Sequence, residues 1–272
     1  MSEPTRQTIT VQGLATSYAV AGSPDGASDR LPIVALHGWG GSIESFWPVA
    51  EALAPLGYTV HVLDLPGFGQ SALPPTSEDE AWSVPEYAAF VLAYLAAQGL
   101  DRVHLLGHSF GGRISLILGA EHADRLDKIV LAGSAGVRPP GNPLRDAAVK
   151  AGKRVMQLPG LRALYEPARR RLYEELGATD YLEAGPLQAT FVKVVALDLL
   201  PVAARVSRPT LLIWGDRDEE TPLWMGRQLE RTIPDAGLVT FQGAGHFCYL
   251  ERLADYVRIV NHFLSQSEGE AA

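Results

Sequence analysis

The chain has 272 residues, of which 47% are hydrophobic and 20% charged, with a mean hydropathy of +0.04. That composition is enough to bury one large core and excludes a disordered chain. A net charge of −8 argues against non-specific nucleic-acid binding, and the single cysteine, Cys248, excludes an intrachain disulfide and a cysteine-based zinc site.

The amino terminus shows no basic stretch followed by an apolar one, so no signal peptide is read there. No apolar run reaches the ~20 residues that cross a bilayer. The expectation is a cytoplasmic protein without a membrane span, and the sequence leaves its oligomeric state open. Residues 8–11 and 16–20 read as two antiparallel strands joined around Gly13. Residues 33–36 are wholly apolar, as central parallel strands tend to be. Residues 46–56 read as a helix stopped by Gly57, and residues 58–63 as the next strand. A Pro/Gly-rich loop follows from Pro66 to Trp82. Ser83 then caps a helix that Gly99 ends, with Glu86 completing a capping box. A strand at 102–106, a helix after Ser109 and a strand at 127–132 come next. This alternation predicts an α/β fold, a parallel sheet with helices on both faces.

The alternation stops at Gly133. Residues 134–208 read as helical, an insertion dividing a core made of residues 1–133 and 209–272. The insertion carries 12 Lys/Arg against 7 Asp/Glu, a net +5, while the remainder carries 11 against 24, a net −13. Basic solvated helices beside an acidic body account for that asymmetry. The core resumes with a strand at 210–214, a helix capped by Thr221-Pro222, a strand at 238–241 and a final helix at 249–264.

Gly107-His108-Ser109-Phe110-Gly111-Gly112 lies between the apolar run Val103-His104-Leu105-Leu106 and a helical stretch from Arg113 to Ala120. With 27 glycines in the chain, a bare G-x-S-x-G is weak. The strand-turn-helix context makes it informative, because such a turn projects the serine hydroxyl at a helix N-terminus. Ser109 is therefore the candidate nucleophile.

A serine hydroxyl needs a base, and the base needs an orienting acid. Seven histidines compete. His61 and His104 lie in strands, His108 sits inside the turn, His122 ends a helix, and His262 is on the last one. His37 closes a strand. His246 lies in Gly243-Ala244-Gly245-His246-Phe247, a loop after the last strand. Open α/β sheets place their sites at such strand ends, which makes His246 the expected base. The loop after strand 127–132, Gly133-Ser134-Ala135-Gly136, holds no carboxylate. The loop after strand 210–214 holds Asp216, Asp218, Glu219 and Glu220. Asp218 is the expected acid from its spacing to Gly215 and Pro222, with Asp216 as the alternative. The main-chain N–H groups of Phe110 and of Trp39, in His37-Gly38-Trp39-Gly40-Gly41, are the expected oxyanion-hole donors.

These landmarks, with Asp64-Leu65-Pro66-Gly67-Phe68-Gly69, occur in an order that resembles the α/β-hydrolase superfamily of the helical-cap type. The resemblance runs from about residue 7 to 264 and is weakest across the insertion, which corresponds to the variable cap. It implies a mostly parallel eight-stranded sheet. Dehalogenases and epoxide hydrolases of this fold use an Asp nucleophile where this chain has Ser109. Proline iminopeptidases usually carry Trp where it has Phe110. Carbon–carbon bond hydrolases often carry Pro-Gly in the oxyanion loop and Trp after the histidine, where this chain has Gly40-Gly41-Ser42 and Phe247.

The expected activity is hydrolysis of small-molecule carboxylic esters through an acyl-enzyme, without a metal or organic cofactor. The alternatives are a carbon–carbon bond hydrolase of the meta-cleavage-product type and a weakly catalytic ligand sensor. An inward-pointing arginine (Arg138, Arg162 or Arg205) would favour the first alternative. Phe68 and Phe247 are expected as substrate-binding rim residues. Leu158, Leu161, Leu164, Tyr165, Tyr173, Phe191 and Val195 are candidate linings from the insertion. Cys248 reads as a packing residue.

Overall fold

The computed structural model describes residues 2–22, 30–138 and 184–266. One sheet is built from β1 (Arg6–Val11), β2 (Leu14–Ala21), β3 (Ile33–Leu36), β4 (Val60–Leu63), β5 (Val103–His108), β6 (Leu126–Ala132), β7 (Thr210–Gly215) and β8 (Ala236–Phe241). Their spatial order is β1-β2-β4-β3-β5-β6-β7-β8. β2 is antiparallel to β1 and β4, and the other neighbours are parallel. Successive strand residues point to opposite faces, so each strand feeds two cores. Val34 and Leu36 join the layer under α2 (Val84–Ala97) and α3 (Phe110–Glu121). Ile33 and Ala35 join the layer under α1 (Ile43–Leu53) and the carboxyl-terminal helices. The remaining described helices are α4 (Gln188–Ala196), α5 (Leu200–Ala203), α6 (Leu223–Thr232), α7 (Cys248–Glu251) and α8 (Leu253–Ser265).

Two helix boundaries differ from those expected. α1 starts at Ile43 because Ser42 and Ser45 form a reciprocal capping box, and it passes into a 3-10 turn at Ala54–Leu56. The last helix is interrupted at Arg252, whose backbone (φ −125°, ψ 41°) is not helical. The box at Ser83 forms as expected, with the Ser83 N–H donating to Glu86 Oε2 at 2.7 Å.

β3 lies between β4 and β5, so the chain leaves it first to one side and then to the other. Such a reversal opens a crevice at the carboxyl ends of the strands. The turn after β5 is compressed against β3. A Cβ at Gly111 would sit 2.1 Å from the Leu36 carbonyl oxygen, and one at Gly107 would sit 2.5 Å from Ser115 Oγ. Only glycine allows α3 to approach this closely. The Gly111 N–H then donates to the His37 carbonyl at 3.1 Å, tying α3 to the end of β3.

Two part-buried cationic contacts hold α4 against this crevice. Arg113, one turn after Ser109, donates from Nη1 to the carbonyls of Val194 and Leu197, both at 3.0 Å. Burial pushes its guanidinium down to about 10. Lys193 Nζ donates to the Ala81 carbonyl at 2.8 Å. Removing a partner of such a bond leaves a desolvated group at a cost of about 1–3 kcal/mol.

Three histidines are buried along the sheet, and burial holds His61 and His104 down to about 4 and His108 down to about 3. All three are neutral in the fold at pH 7, whereas an unfolded histidine protonates near 6.5. The unfolded chain thus binds more protons below that value. Stability is full above it and is lost as pH falls toward the depressed folded values. Each such group is expected to remove about 2 kcal/mol between pH 7 and pH 5. Denaturant melts of wild type and His61→Phe at those two pH values test this. The variant should lose less stability on acidification, and equal losses would contradict the account.

Candidate active site

Ser109 sits between β5 and α3 at φ +49°, ψ −105°. Among the described residues only Gln12 shares a positive φ without being glycine. Non-glycine residues hold that conformation only where the surroundings over-determine it. Here the Ser109 N–H donates to the Ala132 carbonyl at 3.2 Å, and the Ser109 carbonyl accepts from Gly112, Arg113 and Ala135. The main-chain N–H groups of Phe110 and Trp39 have no hydrogen-bond partner among the described residues. Their rings pack edge to face with centroids 5.4 Å apart, which brings the two backbone segments together.

Asp218 and His246 meet at the ends of β7 and β8. His246 Nδ1 donates to Asp218 Oδ2 at 2.9 Å. Asp218 Oδ1 accepts the N–H groups of Thr221 at 2.8 Å and Glu220 at 3.0 Å. The Thr221 hydroxyl stands 2.8 Å from Asp218 Oδ2, 3.0 Å from the Gly133 carbonyl and 3.3 Å from His246 Nδ1. Burial alone would push the Asp218 carboxyl up, but the bonds from His246 and Thr221 outweigh it and hold it below the usual carboxylate range. Asp216 has a different partner: its Oδ1 accepts the Gly243 N–H at 2.7 Å and fastens the neighbouring loop. Thr221 does not cap the following helix as expected. Pro222 occupies the N-cap position, and the threonine hydroxyl serves the carboxylate instead.

Three further groups shape the site. His108 is buried, and its Nε2–H donates to the His246 carbonyl at 3.1 Å. Its ring lies 4.6 Å from that of His246, so the residue before Ser109 fastens the loop that carries the imidazole. His37 accepts the Leu65 N–H at Nε2 (3.0 Å), which leaves the proton on Nδ1 to donate to the Gly38 carbonyl at 2.7 Å. Burial keeps this imidazole below its ordinary value as well. Glu220 Oε2 lies 3.3 Å from His246 Nε2. Ser109 Oγ makes no hydrogen bond among the described residues. Side-chain bonds of this kind are often long in the absence of substrate.

Beside Trp39 opens a cavity of about 360 Å³, lined by Trp39, Phe68, Leu187, Pro186 and Ala184 with two glycines of the adjoining loops. Trp39 packs edge to face against Phe68, Phe110 and Phe191, with centroids 5.0–5.4 Å apart. Phe68 is only 7% exposed, so it forms an inner wall of the cavity rather than its rim. Phe247 is 46% exposed and its ring lies 5.5 Å from His246. Val195 is exposed, whereas Leu158, Leu161, Leu164, Tyr165, Tyr173 and Arg162 lie outside the described residues. Arg138 is exposed, and Arg205 pairs with Glu121 at 3.4 Å. Glu121 ends α3, roughly 18 Å along the helix from Ser109. Cys248 is buried and its thiol is pushed up to about 12, which leaves it un-ionised and inert.

The described residues contain no cluster of His, Cys, Asp or Glu suited to a metal ion, and no helix long and apolar enough to cross a membrane. Residues 32–162 match the alpha/beta hydrolase fold family, and residues 196–272 match a family described as TAP-like protein. A 2-hydroxy-6-oxo-6-phenylhexa-2,4-dienoate hydrolase of Burkholderia cepacia is 27% identical over 86% of this chain and 87% of its own. A pimeloyl-acyl-carrier-protein methyl ester esterase of Chromobacterium violaceum is 29% identical over 86% of this chain and 95% of its own. The crystal structure of the enol-lactonase from Burkholderia xenovorans aligns with a TM-score of 0.72 at 23% identity, covering 96% of this chain and 100% of that one. The strand order, the turn at Ser109 and these matches agree, and the chain has the α/β-hydrolase fold.

Proposed function

We propose that the chain hydrolyses carboxylic esters of small molecules through an acyl-enzyme on Ser109. The observation that carries this reading is the Asp218–Thr221–His246 cluster facing the crevice beside a serine held at positive φ. His246 Nε2 takes the Ser109 proton as Oγ attacks the ester carbonyl. The N–H groups of Trp39 and Phe110 receive the developing oxyanion, and losing one such donor typically costs about 2.7–4 kcal/mol of transition-state stabilisation. His246 then delivers the proton to the leaving alkoxide as the acyl–oxygen bond breaks. Water, deprotonated by the same imidazole, releases the acid. Asp218 holds the Nδ1–H tautomer throughout. No step calls for a metal or an organic cofactor.

Carbon–carbon bond cleavage is the second reading, favoured by the name of the Burkholderia cepacia relative. Of the three arginines that would favour it, Arg205 is engaged with Glu121 at the far end of α3, and Arg162 lies outside the described residues.

p-Nitrophenyl esters of graded chain length test the esterase reading directly. Wild type should turn over short and medium esters, and Ser109→Ala should lose about 10⁵–10⁶-fold in kcat. Activity that survives in the variant, or a wild type active on a vinylogous diketone but on no ester, would overturn it. The acid is tested by comparing Asp218→Asn with Asp216→Asn. The first should lower kcat by about 10⁴-fold, because the wrong tautomer of His246 is then held. The second should cost less than tenfold, and the reverse ranking would transfer the role to Asp216.

A further inference from the structure

Glu220 is the one carboxylate of its loop, apart from Asp218, that reaches His246 among the described contacts. The loop from Asp216 to Glu220 holds four carboxylates and a single arginine, Arg217. Asp218 binds Nδ1 and Asp216 binds the Gly243 N–H. Glu220 Oε2 stands 3.3 Å from Nε2, on a side chain 60% exposed, while the imidazole itself is 6% exposed. The main chain that carries it is held in place, because the Glu220 N–H donates to Asp218 Oδ1. Nε2 is the nitrogen that must pass a proton to the departing group. Whatever departs from Ser109 therefore does so beside the Glu220 carboxylate.

From this juxtaposition we infer that Glu220 is a specificity-determining residue that selects esters by leaving-group charge, admitting neutral and cationic alcohols and rejecting anionic ones. The inference rests on the ester-hydrolase reading and deepens it. The cavity beside Trp39 lies on the oxyanion-loop side and its named walls are apolar, so it suits the acyl part. The alcohol part leaves on the Nε2 side, under Glu220. Two unit charges a few ångströms apart at a partly exposed site interact strongly enough to shift a rate constant by about tenfold, less at high salt.

Three acetate esters of matched size supply the test: 4-acetoxybenzamide (neutral), 4-acetoxybenzoate (anionic) and 4-acetoxyphenyl-trimethylammonium (cationic). The readout is the kcat/KM of each charged ester divided by that of the neutral one, which a general loss of activity does not move. In wild type the anionic ratio should be low and the cationic ratio high. Glu220→Gln should raise the anionic ratio by about tenfold and lower the cationic one, and Glu220→Lys should invert the order. Added salt should compress the discrimination in wild type but not in Glu220→Gln. Ratios unchanged in Glu220→Gln would overturn the inference. So would an equal shift in Glu219→Gln, since that neighbouring acid makes no described contact with His246. Failure to turn over any of the three esters would overturn the underlying ester reading instead, so the two failures are distinguishable.

Discussion

The in-register parallel pairing of β3 with β5 is the constraint on which the site depends. Leu36 and Gly107 are partners across that pairing, so two strand ends finish at the same level. α3 starts there at backbone distance from β3, with the Gly111 N–H bonded to the His37 carbonyl. Ser109 is held at positive φ in that turn, and the rings of Phe110 and Trp39 pack together beside it. A single methyl group at position 111 would collide with the Leu36 carbonyl and separate the two segments. The crevice at the strand-order reversal is thus built from main-chain contacts before any side chain acts.

The charged part of the site is attached to this frame by groups that are neutral. His108 and His37 are buried imidazoles that hold main-chain atoms, the former at His246 and the latter at Gly38 and Leu65. Burial keeps both from protonating, so they fasten the loops without adding charge beside His246. Asp218 is the buried carboxylate of the site, and four donors surround it. An ion desolvated to that degree is tolerable only when it is this fully bonded. Thr221 matters because it supplies two of those donors.

Much of this frame was legible in the sequence. The apolar runs at residues 33–36 and 103–106 named the central strands, and the glycines around Ser109 marked a close helix approach. Position after a strand end marked His246 as the expected base, the carboxylates after strand 210–214 marked Asp218 as the expected acid, and the structure brings these two side chains into hydrogen-bond contact. The missed features share a physical cause. Arg113, Lys193 and His108 act on backbone carbonyls, which carry no residue identity and leave no pattern. Thr221 followed by Pro222 satisfies the pattern for a helix cap, and only the fold shows its hydroxyl turned to Asp218 instead. Ser42 escaped notice because its capping partner is Ser45 rather than an acidic residue. Phe68 looked like a rim residue from its loop, yet the edge-to-face packing with Trp39 draws it inside.

The central claim is that Ser109 is a nucleophile activated by the His246–Asp218 pair. The most direct measurement is covalent: exposure of the protein to a neutral p-nitrophenyl alkylphosphonate, followed by intact mass and peptide mapping. The account predicts one adduct per chain, located on the peptide containing Ser109, formed with release of one p-nitrophenol and greatly slowed in His246→Ala. No adduct, or an adduct on another residue, would contradict it.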